Sequence, residues 1–197
     1  NSSFTLDGNK SLAGFSGDKG GAVYVADGGT LKITGGDIFG NTATTGGGVY
    51  YDSSNILEMT SGTISNNNGG GLYLNKGTFN MSGGTISSNV SSGTGGVHIM
   101  ANATMSMSNG TISGNKNTGM GPNGGAITIY GTLNITGGVI AGNTSVGTNA
   151  DIATFGYGNL TISGGMIESV YHSSSGTFTM TGGTVGTLRL LQSGTIS

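Results

Sequence analysis

The stretch Leu31-Lys32-Ile33-Thr34-Gly35-Gly36-Asp37-Ile38-Phe39-Gly40-Asn41 decides the fold. Leu31 and Ile33 alternate with Lys32 and Thr34, the period of a strand that turns one face inward. A glycine pair follows, then the apolar Ile38, then an asparagine three residues on. The pattern returns along the chain: FTLDG from Phe4, LEMTSG from Leu57, FNMSGG from Phe79, MSMSNG from Met105, LNITGG from Leu133, LTISGG from Leu160 and FTMTGG from Phe178. Such self-similarity is the mark of a repeat architecture.

Four apolar columns come out of the alignment. Phe4, Leu31, Leu57, Phe79, Met105, Leu133, Leu160 and Phe178 form one, and Leu6, Ile33, Met59, Met81, Met107, Ile135, Ile162 and Met180 the next. After the glycines come Ile38, Ile64, Ile86, Ile112, Ile140, Ile167 and Val185, with Leu12 ahead of them. An earlier strand in each repeat carries Val23, Val49, Leu72, Val97, Ile127 and Ile152. Repeats are 22 to 28 residues apart until Leu160, then 18, and insertions such as Lys116 to Asn123 fall in Gly/Asn/Ser segments outside the strands. The reading is an all-β, right-handed parallel β-helix over residues 1–197, a single domain of about nine coils with three short strands each. Asn41, Asn67, Asn89, Asn115 and Asn143 recur at one corner, where stacked amides pass hydrogen bonds from coil to coil as an asparagine ladder. Val170, Leu188 and Phe15 hold that position at the ends.

Composition narrows the function. Charged residues are 7%, against about 25% in ordinary domains, and Gly is 43 of 197. With six Lys and Arg and a net charge of −2, there is no surface to neutralise nucleic-acid phosphates. Cysteine is absent, so disulfides and thiolate metal sites are excluded. No run reaches the roughly 18 apolar residues of a spanning helix, so membrane insertion is not expected. The chain opens at Asn1 without a signal-peptide pattern, as a mature or excised segment would.

The motifs GGAV at Gly20 to Val23, IFGN at Ile38 to Asn41, GGGVYY from Gly46 and SGGTIS from Ser82 resemble repeats of bacterial and archaeal adhesin-like surface proteins. Chlamydial polymorphic outer-membrane proteins carry related GGA(I/L/V) and FxxN motifs; here the second motif is Ile-x-x-Asn. The resemblance implies a secreted or cell-surface location and an adhesive or structural role.

The candidate ligand site is an outward column of Tyr24, Tyr50, Tyr73 and His98, flanked by Tyr51 and Tyr130. Such a strip would contact a host glycan or protein through ring faces and hydroxyls. It decays to Thr128 and Ala153, which confines it to the N-terminal half. Competing readings need other groups. A polysaccharide lyase or glycosidase needs converging carboxylates among Asp27, Asp52, Glu58 and Asp151. Asp27 and Asp52 in adjacent coils are a weak cation pair, and Lys32 with Glu58 reads as a surface ion pair. An ice-binding solenoid would use the outward Thr34, Thr60, Ser82, Ser108, Thr136, Ser163 and Thr181. His98 and His172 read as surface histidines. Asn-x-Ser/Thr occurs at Asn1, Asn80, Asn89, Asn102, Asn134, Asn143 and Asn159, with Asn89 and Asn143 expected to be buried in the ladder. No catalytic residues, metal or cofactor are expected. Open strand edges at both ends make end-to-end self-association a further expectation.

Overall fold

The computed structural model describes residues 2–7, 11–191 and 195–196. Among them there is no helix, and every strand pairing is parallel. The second-strand column is in hydrogen-bonded register from end to end: Phe4 on Leu31, Leu31 on Leu57, then Phe79, Met105, Leu133, Leu160, Phe178 and Ile196. The third-strand column stacks Leu12 on Ile38 and continues through Ile64, Ile86, Ile112, Ile140 and Ile167 to Val185. The first-strand column runs from Val23 on Val49 to Ile152 on Val170 on Leu188. The chain is a parallel β-helix of about six full turns, fewer than the nine coils expected. Layers at the two ends contribute strands without closing a coil.

Within a coil the expected three short strands run together. Val49–Ser65, Leu72–Ser87 and Val97–Ser113 are each continuous strands. Register shifts at Met107/Asn109 and Asn109/Thr111 let the ladder of hydrogen bonds bend round the corner without breaking. A separate pairing of Val90–Ser91, Lys116–Asn117 and Thr144–Ser145 forms a further side beyond the Asn corner. The insertion from Lys116 therefore begins inside a strand, contrary to expectation.

The core is the inside of the coil. Leu31, Ile33, Leu57, Met59, Ile64, Phe79, Ile86, Met105, Met107, Ile112, Leu133 and Leu160 are all buried. Each such side chain contributes about 1.5 to 3 kcal/mol relative to exposure. Phe4, expected inside, is 43% exposed because no described layer lies beyond it. Leu12, Val23, Met180 and Val185 are half-buried for the same reason.

The glycine after each second strand has a positional cause. Gly62, Gly84, Gly110, Gly138, Gly165 and Gly183 all have positive φ. A Cβ on Gly62 would lie 2.7 Å from the carbonyl oxygens of Gly35 and Gly36 in the next coil. Only a residue without a side chain lets the corners stack this closely.

The Asn ladder is present as expected. Asn67 Nδ2 donates to Asn89 Oδ1 at 2.9 Å and to the Ile38 carbonyl at 3.0 Å, while its backbone N–H donates to the same Asn89 Oδ1 at 3.0 Å. Asn41, Asn89 and Asn115 repeat this arrangement toward the next member, and Phe15 N–H enters it at the N-terminal end by donating to Asn41 Oδ1. Asn41, Asn67, Asn89 and Asn115 are buried, whereas Asn143 is only half-buried. The C-terminal member is one the repeat does not announce. Asp151 Oδ1 accepts from both Asn143 N–H and Asn143 Nδ2, at 3.0 and 2.8 Å, and Asp151 Oδ2 accepts from Ser169 Oγ at 2.5 Å. Val170 leaves the corner and joins the first-strand column.

The residue before each ladder Asn is left-handed: Gly40, Asn66, Ser88, Gly114 and Gly142 have φ between 54 and 69°. Ser88 is the member least suited to that conformation. Ser88→Gly should therefore raise stability by about 1 kcal/mol in urea denaturation. Asn89→Ala should lower it by about 2 to 4 kcal/mol, because it takes the acceptor from the Asn67 backbone N–H and side-chain amide and the side-chain donor from the Ile64 carbonyl inside the coil. A loss below about 1 kcal/mol at Asn89→Ala would show that the ladder does not hold the corner together.

Candidate functional site

The first strand of each coil positions the ring column, since its residues alternate between core and surface. Tyr24, Tyr50, Tyr73 and His98 stand in register on successive coils. Their rings are stacked, with centroids 5.4, 5.1 and 4.8 Å apart in order along the column. The expected column is thus brought together, with a consequence for its chemistry. Ring faces cover one another, so Tyr50 is only 4% exposed, and Lys19 Nζ lies 4.9 Å from its centroid. Tyr73 and His98 are half-buried and present edges, while Tyr24, first in the stack, is 51% exposed.

Two parts of the expectation need correction. Tyr51 does not flank the strip: it is fully buried, pairs with Val25 and Leu74, and belongs to the core. Burial holds its phenol pKa above the usual value. Nor does the strip stop at His98. Thr128 and Ala153 do occupy the next register positions, but Tyr130, Phe155 and Tyr171 carry the contact on, with centroids 5.6, 6.0 and 6.0 Å apart from His98 onward. Arg189 closes it over Tyr171 at 5.4 Å. The strip runs the length of the rod.

Thr128 is buried because its hydroxyl is used inside. Thr94 Oγ1 donates to Thr128 Oγ1 at 2.6 Å and lies 2.8 Å from His98 Nδ1. Beside them a hollow of about 200 Å³ is lined by Thr44, Thr45, Ser92, Thr94, Tyr73 and His98.

Neither histidine is the surface residue expected. Desolvation lowers the His98 pKa from its ordinary 6.5 to about 4. His172 is wholly buried; its Nδ1 lies 2.6 Å from Thr154 Oγ1, and its Nε2 has no partner among the described residues. Burial lowers its pKa as well. A protonated ring needs acceptors at both nitrogens, and this site offers one.

The carboxylates named for an enzyme are each engaged separately. Lys76 Nζ lies 3.0 Å from Asp27 Oδ1, and that hydrogen bond is the main reason the Asp27 pKa is lowered. Asp52 accepts from Asn75 Nδ2 at 2.9 Å, so the aspartates of adjacent coils have different protein partners. Glu58 pairs with Lys32 at 2.9 Å, as expected, on a half-exposed surface where the pair is worth at most about 1 kcal/mol. Asp151 ends the ladder. Among the described residues no cluster of His, Asp and Glu could hold a metal, and no helix is long and apolar enough to cross a membrane.

The hydroxyl column required for ice binding is largely exposed from Thr60 to Thr181, but its register slips. Thr34 stands opposite Ser61, Ser82 opposite Asn109 and Ser163 opposite Gly182. Of the glycosylation motifs, Asn89 is buried and Asn1 lies outside the described residues.

Comparison with family models, with curated proteins and with solved structures gave no match.

Both histidines have folded-state pKa values below 6.5, so the unfolded chain binds more protons between about pH 6.5 and 4. Their contribution to stability is complete above pH 6.5 and is lost as pH falls toward 4. The urea midpoint should fall between pH 7 and 4.5, and His98→Gln with His172→Leu should flatten that dependence. An unchanged slope in the double variant would show that other groups carry it.

Proposed function

We propose that this chain is a rigid, non-enzymatic stalk of a secreted or cell-surface adhesin, with the aromatic strip as its contact face for a host glycan or protein. The observation that carries the reading is the row of ring contacts from Tyr24 to Tyr171 along one side of the rod, stacked as far as His98 and tilted beyond it. A row of rings fixed by a β-helix loses little conformational freedom on binding, which favours a contact surface. The GGAV and IFGN resemblance supports the adhesive context and the extracellular location. Separate engagement of Asp27, Asp52, Glu58 and Asp151 weighs against the lyase or glycosidase reading, and the slipped hydroxyl register against ice binding.

The covered ring faces refine the chemistry. A ligand meets ring edges and phenol hydroxyls at Tyr73, the neighbouring exposed hydroxyl of Ser92, and an open ring face at Tyr24. This arrangement suits a hydroxyl-rich chain such as an extended glycan lying along the rod.

Glycan-array and protein-overlay binding should decide the matter. The chain is expected to bind at least one class, and Tyr24→Phe with Tyr73→Phe should reduce that binding about thirtyfold, since each lost hydroxyl contact is worth about 1 kcal/mol. The stack and the melting temperature should stay unchanged. No binding by the native chain, or full binding by the variant, would remove the strip from the account.

A further inference from the structure

The hollow beside Tyr73 and His98 has its origin in the lengths of three successive connections. Seven residues separate Asn41 from Val49 and seven separate Asn89 from Val97, but only four, Asn68 to Gly71, separate Asn67 from Leu72. All three set out in register, since Asn68 bridges Thr42 on one side and Val90 on the other. The outer two then have extra chain to accommodate, while the middle one turns straight into its strand. A recess opens between them. Gly69 and Gly70 line it from the short connection, Thr44 and Thr45 from one neighbour, Ser92 and Gly93 from the other. Layers lie on both sides of these coils, at Ser16–Lys19 and Lys116–Asn117, so the recess owes nothing to the ends of the rod.

Its lining is uncharged. Burial lowers the His98 pKa to about 4 and raises that of the Tyr73 phenol, so both rings are neutral at pH 7, and no Lys, Arg, Asp or Glu lines the recess. Thr94 forms a fixed wall, held 2.6 Å from Thr128 Oγ1 and 2.8 Å from His98 Nδ1. The hydroxyls of the exposed Thr44 and Ser92 and the Tyr73 phenol have no hydrogen-bond partner among the described residues. A volume of about 200 Å³ is below the roughly 300 to 1,000 Å³ of sites for larger organic ligands, and suits a single ring.

One glycine points to the same space. A Cβ on Gly69 would strike the Ala43 carbonyl, and one on Gly70 would lie 2.8 Å from the Thr94 carbonyl oxygen, so stacking demands both. Gly93 is different. Its φ lies outside the left-handed region, and a Cβ there would meet nothing nearer than Ser91 Oγ at 3.6 Å. Its N–H donates to that same Oγ at 3.0 Å, a bond open to any residue but proline. The coil does not need glycine at this position; the recess does.

We propose that the recess is a subsite for one uncharged sugar residue of the glycan lying along the strip, an inference that rests on the glycan reading above. The sugar hydroxyls exchange hydrogen bonds with Thr44, Ser92 and the Tyr73 phenol, and its ring lies against the edges of Tyr73 and His98. A uronic acid in the same place would bring a carboxylate to a site with no cation beside it, and binds more weakly.

The test titrates the 197-residue chain at pH 7 with methyl glycosides of glucose, galactose and mannose and with the matching uronic acids. Amide shifts are followed by nuclear magnetic resonance up to about 100 mM, the range of a weak, single-ring ligand. At least one neutral glycoside should shift the amides of Gly70, Ser92 and Gly93, with its uronic acid at least about tenfold weaker. Gly93→Leu should abolish the binding with an unchanged circular dichroism spectrum; if that variant does not fold, Ser92→Ala should weaken binding about fivefold, the value of one hydroxyl contact. No shift at these amides with any neutral glycoside, equal binding of the uronic acid, or full binding by the folded variant would each overturn the proposal. A chain that binds glycans on the array but no single sugar in the recess overturns this inference and leaves the strip standing; a chain that binds neither removes both.

Discussion

Parallel pairing in register is the constraint on which everything else rests. A coil one strand thick has no interior of its own; it acquires one only when the coils above and below place like residues over like. Isoleucine then lies on isoleucine from Ile38 to Ile167, asparagine on asparagine, and ring on ring. For apolar side chains, amides and aromatic rings this repetition is favourable, since each can meet its own kind. For charges it is not, because like charges directly opposite one another repel. The low charged fraction, 7%, follows from the architecture. Where charges do stack they alternate in sign or give way to a neutral residue, as in Lys32 on Glu58 on Asn80.

The same rule shows why the two ends of the rod differ. One inward column passes through Val25, Tyr51, Leu74, Ile99 and Ile129, then becomes polar at Thr154 and His172 before Leu190. Polar residues enter the core where the coils have shortened to 18 residues and the Asn ladder has ended on Asp151. His172 can satisfy only one nitrogen there. Local stability should accordingly fall toward the C-terminal coils.

Much of this was legible in the sequence, and the failures have identifiable causes. The apolar columns and the ladder were readable because a strand's period of two and a corner recurring at fixed spacing leave few alternatives. Tyr51 was misplaced beside the strip, although its position directly after the outward Tyr50 in a strand turns it to the core opposite Leu74. Continuation of the strip through Tyr130 and Phe155 was not readable, because the rings move two positions along the strand while Thr128 turns into a buried hydroxyl contact with Thr94. The role of Asp151 was hidden for a similar reason. It reaches the ladder across a loop from Asn143, outside the repeat spacing. Histidine burial likewise depends on what stacks above and below, which the sequence around His172 does not state.

The central claim is that distant repeats are separated only by the layers between them. Spin labels at the exposed positions Thr60 and Thr181 stand in the Leu57 and Phe178 layers, five layers apart by the register. At about 4.8 Å per layer, pulsed electron–electron resonance should give one narrow distance near 24 Å, broadened only by the label linkers. A broad distribution, or a mean beyond about 40 Å, would contradict the stacked coil and everything argued from it.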